Sequence, residues 1–231
     1  MSERPPPKAI LFDAGGTLIH LDGDRIARAA GVPHAASGFD RAAAAGAAAL
    51  GAWIARYPAS TDAERVPYFL NEILRGLGIE DEEARRAAAA AVGAEHARSN
   101  LWSRAGEGAI ETLSTLRERG YRIAVVSNAD GRVRALLETA GLSPFLEVVV
   151  DSFEVGFEKP DPRIFLVATD RLGVAPADCV YVGDIYSIDV LGARRAGMRA
   201  ILIGTGAAEE PVERVRTLPE LLAKFGRVGE G

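Results

Sequence analysis

The sequence predicts an α/β fold: a doubly wound parallel sheet carrying an inserted α-helical domain. Three observations lead there. First, short apolar, β-branched runs recur: KAILFDA (8–14), YRIAVVSNA (121–129), LEVVVDSF (146–153), CVYVGD (179–184) and RAILIGTG (199–206). They are near-continuously apolar rather than alternating, which suits strands covered on both faces. Second, helix-like segments separate the later runs, the pattern of a parallel sheet with right-handed crossovers. Third, residues 20–105 break this rhythm with Ala-rich sequence and no convincing strand.

The elements follow in order. The first run ends in Asp13 and turns through Gly15 and Gly16. The insert carries periodic Leu, Ile, Trp and Phe, broken by GVP at 31–33 and by Gly76 and Gly78. That reads as several helices packed through small side chains. A structureless insert of this length would be unusual in a compact domain. Beyond it, the segments GAIETLSTLRERG, GRVRALLETAGL, PRIFLVATDRLG and SIDVLGARRAG close at Gly120, Gly141, Gly173 and Gly197. Proline near a helix start and glycine past its end are the expected punctuation. The expected partition is a core of residues 1–19 and 106–231 around a helical domain of residues 20–105.

Composition narrows the function classes. The chain has 231 residues, 48% hydrophobic and 26% charged, with a formal net charge of -5. No long basic run occurs, so nucleic acid and anionic membranes are not expected partners. The longest small-apolar run, residues 42–55, is shorter than the roughly 18–20 residues of a membrane span. The N-terminus lacks a signal-like apolar stretch, and a cytoplasmic setting is expected. The single cysteine, Cys179, precedes an apolar run and reads as a buried, inert thiol. No oligomeric state follows from the sequence.

Polar residues cluster where four strands end: Asp13 and Thr17, then Ser127 and Asn128, then Lys159 in FEKPDP, then Asp184 with Asp189 five residues on. In open parallel sheets, ligands bind outside the carboxyl ends of the strands. Each signal alone reads as a turn, a cap or a surface charge, but four in register point to one crevice. Three carboxylates without compensating cations would repel one another. A hard divalent cation resolves this, and Mg2+ binds through one or two carboxylates plus substrate phosphate. Ser127 can hydrogen-bond a phosphoryl oxygen, Lys159 can neutralise developing charge, and Asp13 can attack phosphorus. Gly15 and Gly16 let backbone approach a phosphate closely.

The set DAGGT, VVSN, EKPDP with the following RIF, and VGDIYSID resembles the haloacid dehalogenase-like hydrolase superfamily, over essentially the whole chain. The insert resembles that superfamily's helical cap. The resemblance implies a Rossmann-like core, a mobile cap, a Mg2+ cofactor and an aspartyl-phosphate intermediate. It implies Asp13 as nucleophile, with Asp13, Asp184 and the Gly15 backbone carbonyl as metal ligands. Asp189 would support the metal shell or hold Lys159. Ser127 and Lys159 would bind the phosphoryl group; Gly16, Thr17 and Asn128 complete the expected phosphate site. The expected substrate is a small phosphorylated metabolite.

Gly15 departs from the superfamily pattern, where phosphatases carry a second aspartate as acid and base. His20, Asp22, Asp24 and Asp130 are neighbours that could substitute. His20, Arg25 and Arg28 could touch an anionic substrate; Trp53 and Trp102 read as packing residues. A phosphonate hydrolase would need a lysine in the cap, and residues 20–105 contain none. A haloacid dehalogenase would not normally carry a carboxylate at Asp184. A catalytically impaired binding module is the alternative from a different class.

Overall fold

The structure, a computed structural model, describes residues 6–229. In chain order the strands are β1 (Ala9–Phe12), β2 (Ile19–Leu21), β3 (Trp102–Ala105), β4 (Arg122–Ser127), β5 (Val148–Asp151), β6 (Cys179–Gly183), β7 (Arg199–Ile203) and β8 (Glu213–Val215). The α-helices are α1 (Gly23–Ala29), α2 (Phe39–Arg56), α3 (Asp62–Gly76), α4 (Glu82–Arg98), α5 (Ala109–Glu118), α6 (Val133–Thr139), α7 (Ser152–Val155), α8 (Pro162–Leu172) and α9 (Leu191–Arg195). The chain divides into two compact units. One runs to His20 and resumes at Ala105; the other is Leu21–Arg104.

The first unit is built on a six-stranded parallel sheet in the order β5-β4-β1-β6-β7-β8. β1 lies between β4 and β6, with Phe12 opposite Val125 on one side and Val182 on the other. Its four residues, AILF, are all fully buried, because both faces of a central parallel strand are covered. α8 shows how the covering helices are specified. Asp161 caps it by accepting from Arg163 N, Pro162 occupies its first turn, and Gly173 ends it with φ +64°. Its apolar face, Ile164, Phe165, Ala168 and Leu172, packs in one cluster with Leu11, Val126 and Tyr181. Burying each large side chain contributes about 1.5–3 kcal/mol.

The second unit is helical. Its core is Ile26, Phe39, Ala42, Ile73, Leu74, Ala88 and Val92. The small residues set how closely helices approach: a Cβ on Gly76 would lie 2.8 Å from Ala42 Cβ. Thr61 and Glu64 form a capping box that starts α3. Arg25 binds Glu95 at 2.7 Å and the main-chain oxygens of Ser99 and Asn100. Its guanidinium therefore ties this unit together. Trp53 stacks on Tyr68, a packing role.

Two strand expectations are corrected. β8 (ERV) adds a sixth strand to the five expected; only Val215 of it is buried, so it carries no apolar run. Within residues 20–105, where no strand was expected, β2 and β3 contribute to a separate two-stranded sheet. Their sequences, IHL and WSRA, are too short and polar to stand out. Among the described residues, no helix is long and apolar enough to cross a membrane.

Candidate active site

The strand ends deliver the carboxylates. Asp13 N donates to Val182 O at 2.8 Å, extending the β1–β6 ladder by one residue. Asp13 is thereby set level with Gly183, one position before Asp184. Asp13, Asp184 and Asp189 each place a carboxylate oxygen within 4.8 Å of the others. Asp189 lies in a π-helical turn, Tyr186–Val190, that follows β6. Its Oδ2 accepts from Ile185 N at 2.9 Å, which fixes the turn. Gly183 is required here, since a Cβ would come within 2.4 Å of Asp189 Cγ.

Lys159 enters this cluster from the segment between α7 and α8. Its Nζ donates to Asp13 Oδ1 at 2.5 Å, to Asp189 Oδ1 at 2.7 Å and to Tyr181 OH at 3.0 Å. The lysine is 3% exposed, so these partners replace its water. Burial alone would lower its pKa. The charges of Asp13 and Asp189 outweigh that effect and hold it well above the usual value. Asn128 anchors the lysine's main chain: its Oδ1 accepts from Lys159 N at 2.7 Å and its Nδ2 donates to Lys159 O at 3.1 Å. The amide expected at the phosphate therefore also clamps the main chain of Lys159.

One ammonium among three carboxylates leaves an excess of negative charge. Burial raises the Asp13 carboxyl most, Lys159 pulls it back, and Asp189 adds to the rise, leaving it at about 7. Burial, then the charges of Asp13 and Asp189, hold Asp184 well above the ordinary carboxylate range. Asp184 Oδ1 is enclosed and has no hydrogen-bond partner among the described residues. Gly16, at φ +80°, passes so close that a Cβ would lie 2.3 Å from Asp184 Oδ2. An orphaned carboxylate oxygen in an all-oxygen cluster suits a hard divalent cation.

The remaining expected residues fall at the same strand ends. Gly15 bridges to Ile19 in the turn after β1. Thr17 is buried, with Oγ1 unpartnered among the described residues. Ser127 ends β4, its Oγ 3.5 Å from Asn128 O. Of the substitutes for the missing acid, Asp22 caps α1 through Arg25 N, and Asp130 binds its neighbour Arg132. Two contributors escaped the sequence reading. Asp151, buried at the end of β5, accepts from Gly131 N and Phe153 N, both at 3.0 Å, and so steadies the turn after Ser127 and Asn128. Its signal, a lone carboxylate closing an apolar run (VVVD), is the one that marked Asp13. Tyr181 is the other; its signal is a hydroxyl inside an otherwise apolar strand.

Fold and site together define a doubly wound α/β protein with a carboxylate–lysine centre at the carboxyl ends of its central strands. The chain belongs to the haloacid dehalogenase-like hydrolase family, whose model matches residues 7–197. It is 38% identical over 145 residues to a glyceraldehyde 3-phosphate phosphatase of Methanopyrus kandleri, covering 62% of this chain and 61% of that one. It is 43% identical over 107 residues to haloacid dehalogenase-like hydrolase domain-containing protein 3 of Bos taurus, covering 46% of this chain and 41% of that one. The chain thus spans about half the length of the curated relatives it matches. Among solved structures, a HAD phosphatase from Thermococcus onnurineus is similar at a TM-score of 0.58 and 27% identity, covering 96% of this chain and 100% of that one.

Proposed function

We propose that this protein removes phosphate from a small phosphorylated metabolite, with Asp13 as the covalent nucleophile. The observation that carries this is the junction of Lys159 with Asp13 and Asp189 beside the orphaned oxygen of Asp184. Lys159 holds Asp13 Oδ1 and so orients Oδ2 for attack on phosphorus. The new Oδ2–P bond forms as the ester P–O bond breaks, and the leaving oxygen departs as an anion that takes its proton from solvent water. Water then attacks the aspartyl phosphate, giving inorganic phosphate and a free carboxylate.

Asp13, Asp184, the Gly15 carbonyl and, through its shell, Asp189 are the residues that would hold Mg2+. Bound there, Mg2+ would act as a Lewis acid on phosphoryl oxygens. Ser127 and Thr17 supply hydroxyls, and Gly16 a close backbone, to the phosphoryl group. Asp189 holds the ammonium that offsets charge on that group. The helical unit is proposed as the cap that selects substrate; a sugar-derived phosphate is the first class to try, given the Methanopyrus kandleri relative.

Gly15 carries no side chain to donate or accept the proton. General acid–base help is typically worth about 10²- to 10⁴-fold, so substrates with good leaving groups should turn over best. The test is phosphate release from an aryl phosphate and a sugar-phosphate panel, with Mg2+ and with chelator. Metal-dependent release supports the reading. No release across the panel would instead favour a binding module on the same fold.

A further inference from the structure

Tyr181 lies in the middle of β6, fully buried, in a strand whose other residues are Cys179, Val180, Val182 and Gly183. Its ring packs edge-on against Phe165 at 4.8 Å between centroids, a contact phenylalanine would make equally well. A phenol hydroxyl in such a place is costly unless it is hydrogen-bonded. Here it is bonded in a defined direction. It donates to Val126 O at 2.9 Å, with Asp189 Oδ1 a longer second acceptor at 3.4 Å, and it accepts from Lys159 Nζ at 3.0 Å. With its one proton on the shorter of these bonds, to the Val126 carbonyl, a lone pair faces the ammonium.

We propose that Tyr181 is a positioning residue that completes a tripod under the Lys159 ammonium and ties it to the end of β4, next to Ser127. An ammonium has three N–H donors, and Asp13, Asp189 and Tyr181 receive them from three different places in the fold. Two carboxylates alone would leave the ammonium free to swing about the line between them. The third acceptor removes that freedom. It is neutral, so it fixes direction without adding to the negative charge of the cluster. Val126 O holds the phenol in turn, so the position of Lys159 is keyed to the strand that ends in Ser127.

The catalytic half of the proposal rests on the phosphatase reading; the structural half does not, and the test separates them. Lys159 is one of three lysines, with Lys8 and Lys224. In 15N-lysine-labelled full-length protein, the buried Lys159 ammonium should give a slowly exchanging signal with a cross-peak to the Tyr181 ring. Tyr181→Phe keeps the ring and removes the oxygen. It should speed exchange of that ammonium by about tenfold, and lower kcat by about tenfold with KM and the Mg2+ titration nearly unchanged. Phe165→Leu, which loosens the ring without removing the hydroxyl, should lower thermal stability and leave the exchange rate close to wild type. An unchanged ammonium signal in folded Tyr181→Phe would overturn the tripod. So would absence of the cross-peak in the wild type, which needs no variant to fold. A wild type inactive on every phosphate ester would fail the phosphatase reading and leave the exchange result standing. Altered exchange with unchanged kcat in an active enzyme would overturn the positioning role.

Discussion

Both units bury a cation, and they do so differently. In the helical unit, Arg85 is 8% exposed. Its guanidinium donates to Asn71 Oδ1 at 2.8 Å and to the main-chain oxygens of Ile79 and Glu80 at 3.0 and 2.7 Å. Every named acceptor is neutral, so the arginine closes a helix connection through hydrogen bonds alone. Lys159 is as buried, but its surroundings carry three carboxylates, one of which keeps an unpaired oxygen. The donors of the structural cation, Arg85, are satisfied by the chain around it, and no carboxylate is among the acceptors named. The Lys159 cluster is stable as a set only with a further positive charge or bound protons, which is how a site prepared for a ligand differs from a packed interior.

Substitutions can break this contrast. The largest effect is expected for Asp13→Asn, which should lower turnover by about 10³-fold or more while the fold persists; retained phosphate release would remove Asp13 as nucleophile. Next is Lys159→Met, which leaves the carboxylates uncompensated and should cost about 3–5 kcal/mol by denaturant melt. Added Mg2+ should recover part of that loss, and no recovery would mean the cluster does not take the cation. Arg85→Met is the counterpart, expected to cost about 1–3 kcal/mol through unpaired carbonyls and to be indifferent to Mg2+.

The pH dependence sharpens the same contrast. Asp13 is raised to about 7 and Asp184 is raised well above its ordinary value, so the folded state binds these protons more tightly than the unfolded chain. Stability from them is therefore present at low pH and is lost as pH rises, for Asp13 from about 4 through about 7. Thermal melts in chelator should show that decline, and Mg2+ should oppose it, with its stabilisation growing as pH rises. A flat chelator profile would contradict the charge excess. The smallest effect concerns Cys179, whose thiol burial pushes up to about 11. It should react with an aromatic disulfide reagent only after unfolding; prompt reaction in native protein would place it outside the core.

Much of this was legible in the sequence, for identifiable reasons. Continuous apolar runs report burial on both faces, so β1, β4, β5, β6 and β7 stand out, whereas an edge strand such as β8, with one buried residue, does not. Asp13 and Asp184 stand out because a charge at the end of an apolar strand has few structural uses, and Lys159 and Asp189 because they follow the next strand ends in the same order. Asp151, Tyr181 and the clamping contact of Asn128 were not legible, because these roles depend on which main-chain atoms the side chains meet. The clamp of Asn128 is seen only once Lys159 N and O are placed at its amide. The tie made by Arg25 is likewise seen only once Glu95 is placed beside it.

Gly15 is where the sequence departs from the phosphatase pattern it resembles. Gly15→Asp should raise turnover on poor leaving groups by up to about 10²-fold if a proton carrier is all that is missing. The most direct test of the central claim is to quench the protein in acid during turnover of an aryl phosphate and map the phosphoryl group by peptide mass. Phosphate on the peptide containing Asp13, present with Mg2+ and absent with chelator, is the predicted result. Continued phosphate release with Asp13 unmodified at every time point would contradict it.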